Sequence, residues 1–194
     1  VDLDQRRATG VQFYLGNELQ RVRARREVIV SAGAFGSPQL LQLSGIGAPA
    51  ALQQAGVTPV HALPGVGQNL QDHIDYVQSW TVPSHTASFG ASPRGIGQIA
   101  RAMFEWRRQR SGMVTSTIAT AGAFFRSAPE VAVPDLQLVF VVALVDDHAR
   151  KAHLGHGISC HVDVLRPYSR GTVGIRSRNP RVAPGIDPQV LSDE

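Results

Sequence analysis

The sequence predicts an α/β segment followed by an α+β segment, and three observations predict it. The run Glu27-Val28-Ile29-Val30-Ser31-Ala32-Gly33 is β-branched, lacks polar alternation and ends in small residues, as in a strand buried on both faces of a parallel sheet. It leads into a helix opened by Ser37-Pro38. After an irregular glycine-rich stretch, Leu63 to His73, the chain changes to strands separated by long connections and one amphipathic helix, the pattern of an α+β sheet layer. A boundary at that stretch divides the chain into 1–73 and 74–194.

The elements follow in order. Val11 to Leu15 and Leu19 to Ala24 flank the turn dipeptide Gly16-Asn17 and read as a β-hairpin. Ser37 serves as N-cap and Pro38 as first helical residue, Gln39 to Leu43 carries the helix, and Gly45 stops it. A second short helix, Pro49 to Ala55, ends at Gly56, and Val57 to His61 reads as a strand. In the second segment, Ile74 to Val82 is a strand and Ile96 to Arg110 a helix with Ile99, Met103 and Trp106 on one face. Ala119 to Arg126, Leu136 to Val145, Gly157 to Leu165 and Gly171 to Arg176 then read as successive strands.

With 43% hydrophobic and 18% charged residues in 194, the composition is that of a globular protein and disfavours disorder or coiled coil. The longest apolar run, Leu138 to Val145, is too short to cross a bilayer, and no charged-then-apolar leader opens the chain. No transmembrane segment is expected, and the location is read as cytoplasmic or peripheral to a membrane. A start at Val1 and an end at Ser192-Asp193-Glu194 read as cuts through a longer chain. The single cysteine, Cys160, excludes an internal disulfide framework and a four-thiolate zinc site, and fits a reduced compartment. Only Lys151 among the 19 basic residues is lysine, so the basic balance is arginine usage. Arg21, Arg23 and Arg25 share a strand face and Arg107, Arg108 and Arg110 close a helix; without interleaved aromatics these read as solvated, and no nucleic-acid partner is expected.

Few residue patterns carry chemistry alone. Gly65-Val66-Gly67-Gln68-Asn69-Leu70 lacks the third glycine of a dinucleotide fingerprint, follows Leu63-Pro64 and opens no helix, so it reads as a loop. His148, His153, His156 and His161, with Asp146, Asp147 and Cys160, are metal-ligand types, but their spacing spreads them over a loop and two elements, and no metal site is expected. Cys160 and His161 are strand neighbours and point to opposite faces. Hydrolase and NTPase readings lack their motifs, since no Gly-x-Ser-x-Gly elbow or phosphate-binding lysine loop occurs. The small residues around Ala32 and Gly33, at a strand-to-helix crossover, let backbone approach a cofactor closely.

Gly33-Ala34-Phe35-Gly36-Ser37-Pro38-Gln39-Leu40-Leu41-Gln42-Leu43-Ser44-Gly45-Ile46-Gly47 resembles the second signature of the glucose-methanol-choline (GMC) family of FAD-dependent oxidoreductases. Gly65 to His73 is similar to the family's next shared block, and Arg166 to Val173 with Ile186-Asp187-Pro188 to the opening of its C-terminal segment, from about 166. The resemblance implies the C-terminal part of a Rossmann-like FAD-binding domain followed by part of an antiparallel-sheet substrate domain. It implies FAD as cofactor, held in this stretch by Ala32, Gly33, Asn69, Asp72 and His73, with the catalytic His beyond Glu194 and none here.

Within the family, Val145 to Lys151 and His153 to Val162 look like alcohol dehydrogenases that pass electrons to an acceptor other than oxygen, such as a quinone or other carrier. Choline dehydrogenases share the pattern. In those, the position matching Asp75 is often an acid facing the substrate's cation, and the position of Val139 tends to be a His. The resemblance therefore implies a small-molecule alcohol as substrate, a largely apolar pocket at Val139, and Asp75 turned to a backbone group or an arginine. A choline-directed enzyme, or a catalytically inactive truncated remnant, is the alternative.

Overall fold

Gly16 and Asn17 turn the chain back on itself, with Gly16 at φ 62°, and β2 (Arg7–Leu15) pairs antiparallel with β3 (Glu18–Arg23). β1 (Asp2–Asp4) joins the other edge of β2. The computed structural model describes residues 1–4, 7–83, 88–145, 151 and 154–192. The arginine face of the hairpin is partly engaged: Arg21 Nε donates to Asp2 Oδ2 at 2.6 Å across β2, and Gln12 Nε2 donates to Asp2 Oδ1 at 2.5 Å.

Those bonds, Arg21's foremost, hold the Asp2 carboxyl down to about 2 from the ordinary 3.8. A carboxyl that is more acidic when folded adds stability above its unfolded value and loses it as pH falls through the folded one. The stability difference between wild type and Asp2→Asn is therefore expected to be full at pH 5 and to vanish as pH falls from about 4 to about 2. Urea unfolding followed across that range measures it, and a difference independent of pH contradicts the assignment.

The expected strand at Glu27 to Gly33 does not form: residues 27–32 have no ladder partner among the described residues, and Ile29 is 79% exposed. A strand is made by its neighbour, and β-branched composition supplies none. The helix that follows is α1 (Gly33–Leu43), a full turn earlier than the expected start, with Pro38 inside it. Ser37 is not the N-cap; its Oγ accepts the N–H of Ala32 at 3.0 Å. Gly33 and Gly36 are weak helix formers, and tertiary context overrides that local preference. The C-terminus is as expected: Ser44 caps it and Gly45 leaves the helix. β4 (Ile46–Gly47) then pairs parallel with β5 (His61–Ala62), on either side of α2 (Pro49–Gln54), so the expected strand at 57–61 shrinks to its last residue and the next.

The chain divides into two compact units, Val1–Asp72 with Tyr168–Glu194, and His73–Pro167. The reading of 74–194 as one segment is thus corrected at its far end, where the chain returns to the first unit. The return is held by backbone: Leu70 and Gly171 exchange hydrogen bonds of 2.9 and 2.8 Å, and Val173 N–H donates to Gly67 O at 2.7 Å. β11 (Thr172–Gly174) and β12 (Gly185–Asp187) form a ribbon there, and Leu52, Leu70 and Val173 are buried at its base.

The second unit is an antiparallel sheet in the order β6 (Ile74–Val82), β10 (Gly155–Val164), β9 (Leu136–Val141), β8 (Ala119–Phe125), with β7 (Gly90–Ala91) also on β10. α3 (Pro93–Gln109) starts at Ser92, whose Oγ accepts from Gly95 N–H at 3.0 Å, so the Ser92-Pro93 start signal opens the helix before Ile96. The expected apolar face of α3 is not the buried one. Gly95 and Ala102 are buried, whereas Ile99, Met103 and Trp106 are 40%, 59% and 42% exposed. The helix is seated by its smallest residues: a Cβ on Gly95 would run into the carbonyl oxygen of Gly90.

Candidate functional site

In the first unit a cleft of about 450 Å³ opens between α1 and the loop before Asp72. Ala34, Ser37 and Leu41 come from α1, spaced three and four residues apart so that they share one helix face. Val66, Gly67 and Asn69 come from the loop, and Val173 from β11. Asn69 is at φ 62°, a conformation Asn tolerates better than most residues, and its Oδ1 accepts from Gln71 Nε2 at 3.4 Å. Ala32 and Gly33 stand exposed at the start of α1, one residue short of the lining. Asp72, the last residue of the first unit, and His73, the first of the second, are exposed.

Gln42 organises this cleft, and the sequence reading passed over it. Its side chain, with the residue 7% exposed, donates from Nε2 to Val173 O at 2.9 Å and Val66 O at 3.3 Å, and accepts from Ile175 N–H at 2.8 Å. One amide thus ties α1, the loop and β11 together. The available signal was an amide set between Leu41 and Leu43 where the helix needs apolar residues.

In the second unit, Asp75 and Val139 lie on one face of the sheet, separated by a strand. On β10, His161 pairs in register with Val77 on one side and Val139 on the other, and Asp163 with Asp75 and Gln137. Among the described residues Asp75 meets neither a backbone group nor an arginine with its side chain: its Oδ2 takes a 2.7 Å hydrogen bond from His161 Nδ1. The reason is the register, which sets His161 diagonally across from Asp75 on the same face. Asp75 Oδ1 is buried and has no partner among the described residues. The signal for His161 was the polar alternation Ser159, His161, Asp163 along one strand face.

The other titratable candidates separate. Cys160 pairs in register with Gln78 and Phe140, on the face opposite to His161. His156, 2% exposed, is bonded by Nδ1 to Ser88 O at 3.1 Å and by Nε2 to Ser92 Oγ at 2.7 Å. That carbonyl requires a proton on Nδ1, so Nε2 accepts the Ser92 hydroxyl while Ser92 caps α3. His148, His153, Asp146 and Asp147 lie outside the described residues. Among the described residues no group of three His, Cys, Asp or Glu could hold a metal, and no helix is long and apolar enough to cross a membrane.

Comparisons with known proteins place these observations. Residues 1–75 match the family model described as GMC oxidoreductase. The chain is 42% identical to an alcohol dehydrogenase [acceptor] of Pseudomonas putida, over 100% of the chain and 35% of that protein. It is also 42% identical to an oxygen-dependent choline dehydrogenase of Vibrio vulnificus, over 99% of the chain and 34% of that protein. A solved formate oxidase superposes with a TM-score of 0.80 at 26% identity, over 95% of this chain and 37% of that one. An FAD-dependent oxidoreductase from Chaetomium thermophilum, at 24% identity and a TM-score of 0.79 over 100% of this chain and 40% of that one, shares the fold. The chain spans about a third of the length of the curated relatives it matches. The likeness to the GMC oxidoreductase family thus rests on the family model over residues 1–75 and on these relatives over the whole chain.

Proposed function

We propose that this chain is part of an FAD-dependent alcohol dehydrogenase, in which a primary alcohol is oxidised and the electrons leave to an acceptor other than oxygen. The observation that carries the cofactor reading is the cleft beside the start of α1. No side chain caps that first turn, no acid sits in it, and a Cβ on Gly33 would meet nothing within 4 Å. Open N–H groups and small residues suit the anionic and planar parts of FAD. Ala32, Gly33, Asn69, Asp72 and His73 would hold it. When bound, FAD supplies the hydride acceptor. The residues of this chain bind and orient: Gly33 by open backbone and Ala32 by its small side chain, Gln42 by fixing the cleft wall, and Val77 and Val139 by supplying apolar contact on either side of His161, on a face that also carries Asp75, Asp163 and Gln137.

The neutral-alcohol reading draws on the 42% identity to the alcohol dehydrogenase over the whole chain, and on Val139. Asp75 and a 42% identical choline dehydrogenase support the second reading, a cationic substrate.

Gly33→Val tests the cofactor reading. The residue stands at φ 75°, where a β-branched side chain is strained, and the new side chain would fill the open space. In the full-length enzyme, FAD affinity is expected to fall about tenfold, read from flavin absorbance after dialysis. Full flavin content in that variant removes Gly33 from the cofactor edge.

A further inference from the structure

We infer that His161 is a positioning residue for substrate binding: by holding Asp75 Oδ2 it leaves Oδ1 as the one carboxylate oxygen presented to a substrate donor. The inference rests on the reading of Asp75 as a substrate-facing residue. It starts from the strand register, which places Asp163 directly across from Asp75. Two carboxylates opposed on neighbouring strands repel one another and would swing apart. His161, two residues before Asp163 on the same face, reaches Asp75 at 2.7 Å. Both partners are largely buried, at 16% and 20% side-chain exposure, so the contact is little screened by water.

The tautomer follows from the contact. A carboxylate oxygen only accepts, so Nδ1 carries the proton and donates it to Oδ2. Asp75 cannot then rotate freely about its last torsion without losing that bond, and the two oxygens become inequivalent. Oδ1 is buried and unpartnered among the described residues, a costly state for an acceptor unless a ligand donor completes it. A substrate hydroxyl, or the polarised C–H edge of a quaternary ammonium, has the chemistry to do so. Val77 and Val139 flank His161 in register, and Asp163 and Gln137 form the next row of the same face beside Asp75.

The test has two parts. In the full-length FAD-loaded enzyme with nitrogen-15-labelled histidine, long-range nitrogen–proton NMR correlation is expected to show the His161 proton on Nδ1, and Asp75→Ala to abolish that preference. An Nε2-protonated ring in the unaltered chain overturns the inference. In the full-length FAD-loaded enzyme, His161→Phe keeps the volume and removes the donor. It is expected to raise KM for the alcohol about tenfold with kcat within twofold. His161→Asn, whose amide nitrogen stands where Nδ1 stood, is expected to restore KM to within threefold of wild type. If Asp75→Ala leaves KM unchanged, the reading of Asp75 as substrate-facing fails. If Asp75→Ala raises KM and His161→Phe does not, that reading survives and the positioning role of His161 is overturned. A parallel fall in kcat and flavin content in both His161 variants assigns His161 a folding role and also overturns it.

Discussion

Replacing Gln42 by leucine is expected to destabilise the first unit by about 3 kcal/mol or more. Leucine is similar in size and a better fit to an apolar helix face, so packing changes little. What is lost is three hydrogen bonds from one buried amide, to Val66 O, Val173 O and from Ile175 N–H. Each backbone group left buried without a partner costs about 1–3 kcal/mol; the bond to Val173 O is buried and the other two are partly buried. For a chain of this size that corresponds to a fall in melting temperature of roughly 6–12 °C. The return of Tyr168–Glu194 to the first unit should loosen first, so amide exchange at Val173 and Ile175 is expected to rise before that of the second unit's sheet. A Gln42→Leu variant that melts with wild type would show that β11 is held by its backbone bonds to Leu70 and Gly67 and not by the Gln42 amide.

The second large effect is expected at Gly67. It stands at φ 81°, and a methyl there would run into the carbonyl oxygen of Val173 and the Gln42 amide. Neither neighbour can give way cheaply: one is backbone, the other the amide that ties the cleft. Gly67→Ala therefore combines a left-handed conformation, about 1–2 kcal/mol for a side-chain-bearing residue, with displacement of β11. The expected total exceeds 3 kcal/mol, in the range of overpacked core substitutions plus backbone strain. Urea unfolding of the two variants and their double mutant distinguishes the mechanisms. Because both act on the same junction, the double mutant is expected to lose less than the sum of the two. Full additivity would mean that Gly67 and Gln42 support different contacts.

Local signals in the sequence were sufficient where one short stretch determines the outcome. Gly16-Asn17 names its hairpin, and Gly45 and Gly56 end their helices. β6, β8, β9 and β10 lie where the apolar runs place them, because an antiparallel ladder needs only neighbours with the same period. Signals failed where the deciding partner is distant. Glu27 to Ala32 has strand composition and no strand beside it among the described residues. Gln42 meets Val173 across 131 positions of sequence, which no window can see. The same holds for Asp75, whose partner His161 is 86 residues away and is set by register. α3 misled differently: its periodicity is genuine, but Gly95 and Ala102 determine how closely it can approach its neighbours, and its large apolar residues face outward. The family resemblance reached further than local pattern because its motifs join residues by order along the chain, and the match over residues 1–75 spans the blocks at 33–47 and 65–73.

The central claim, an alcohol dehydrogenase directed to neutral alcohols, is tested most directly by substrate choice in the full-length enzyme. Wild type and Asp75→Asn are assayed with a neutral medium-chain primary alcohol and with choline, each with an artificial electron acceptor under nitrogen and again with oxygen alone. The account predicts that the neutral alcohol is turned over with the higher kcat/KM, that turnover needs the added acceptor, and that Asp75→Asn shifts KM without reversing the preference. Faster turnover of choline, with a preference that Asp75→Asn selectively abolishes, would contradict it and establish a choline-directed enzyme.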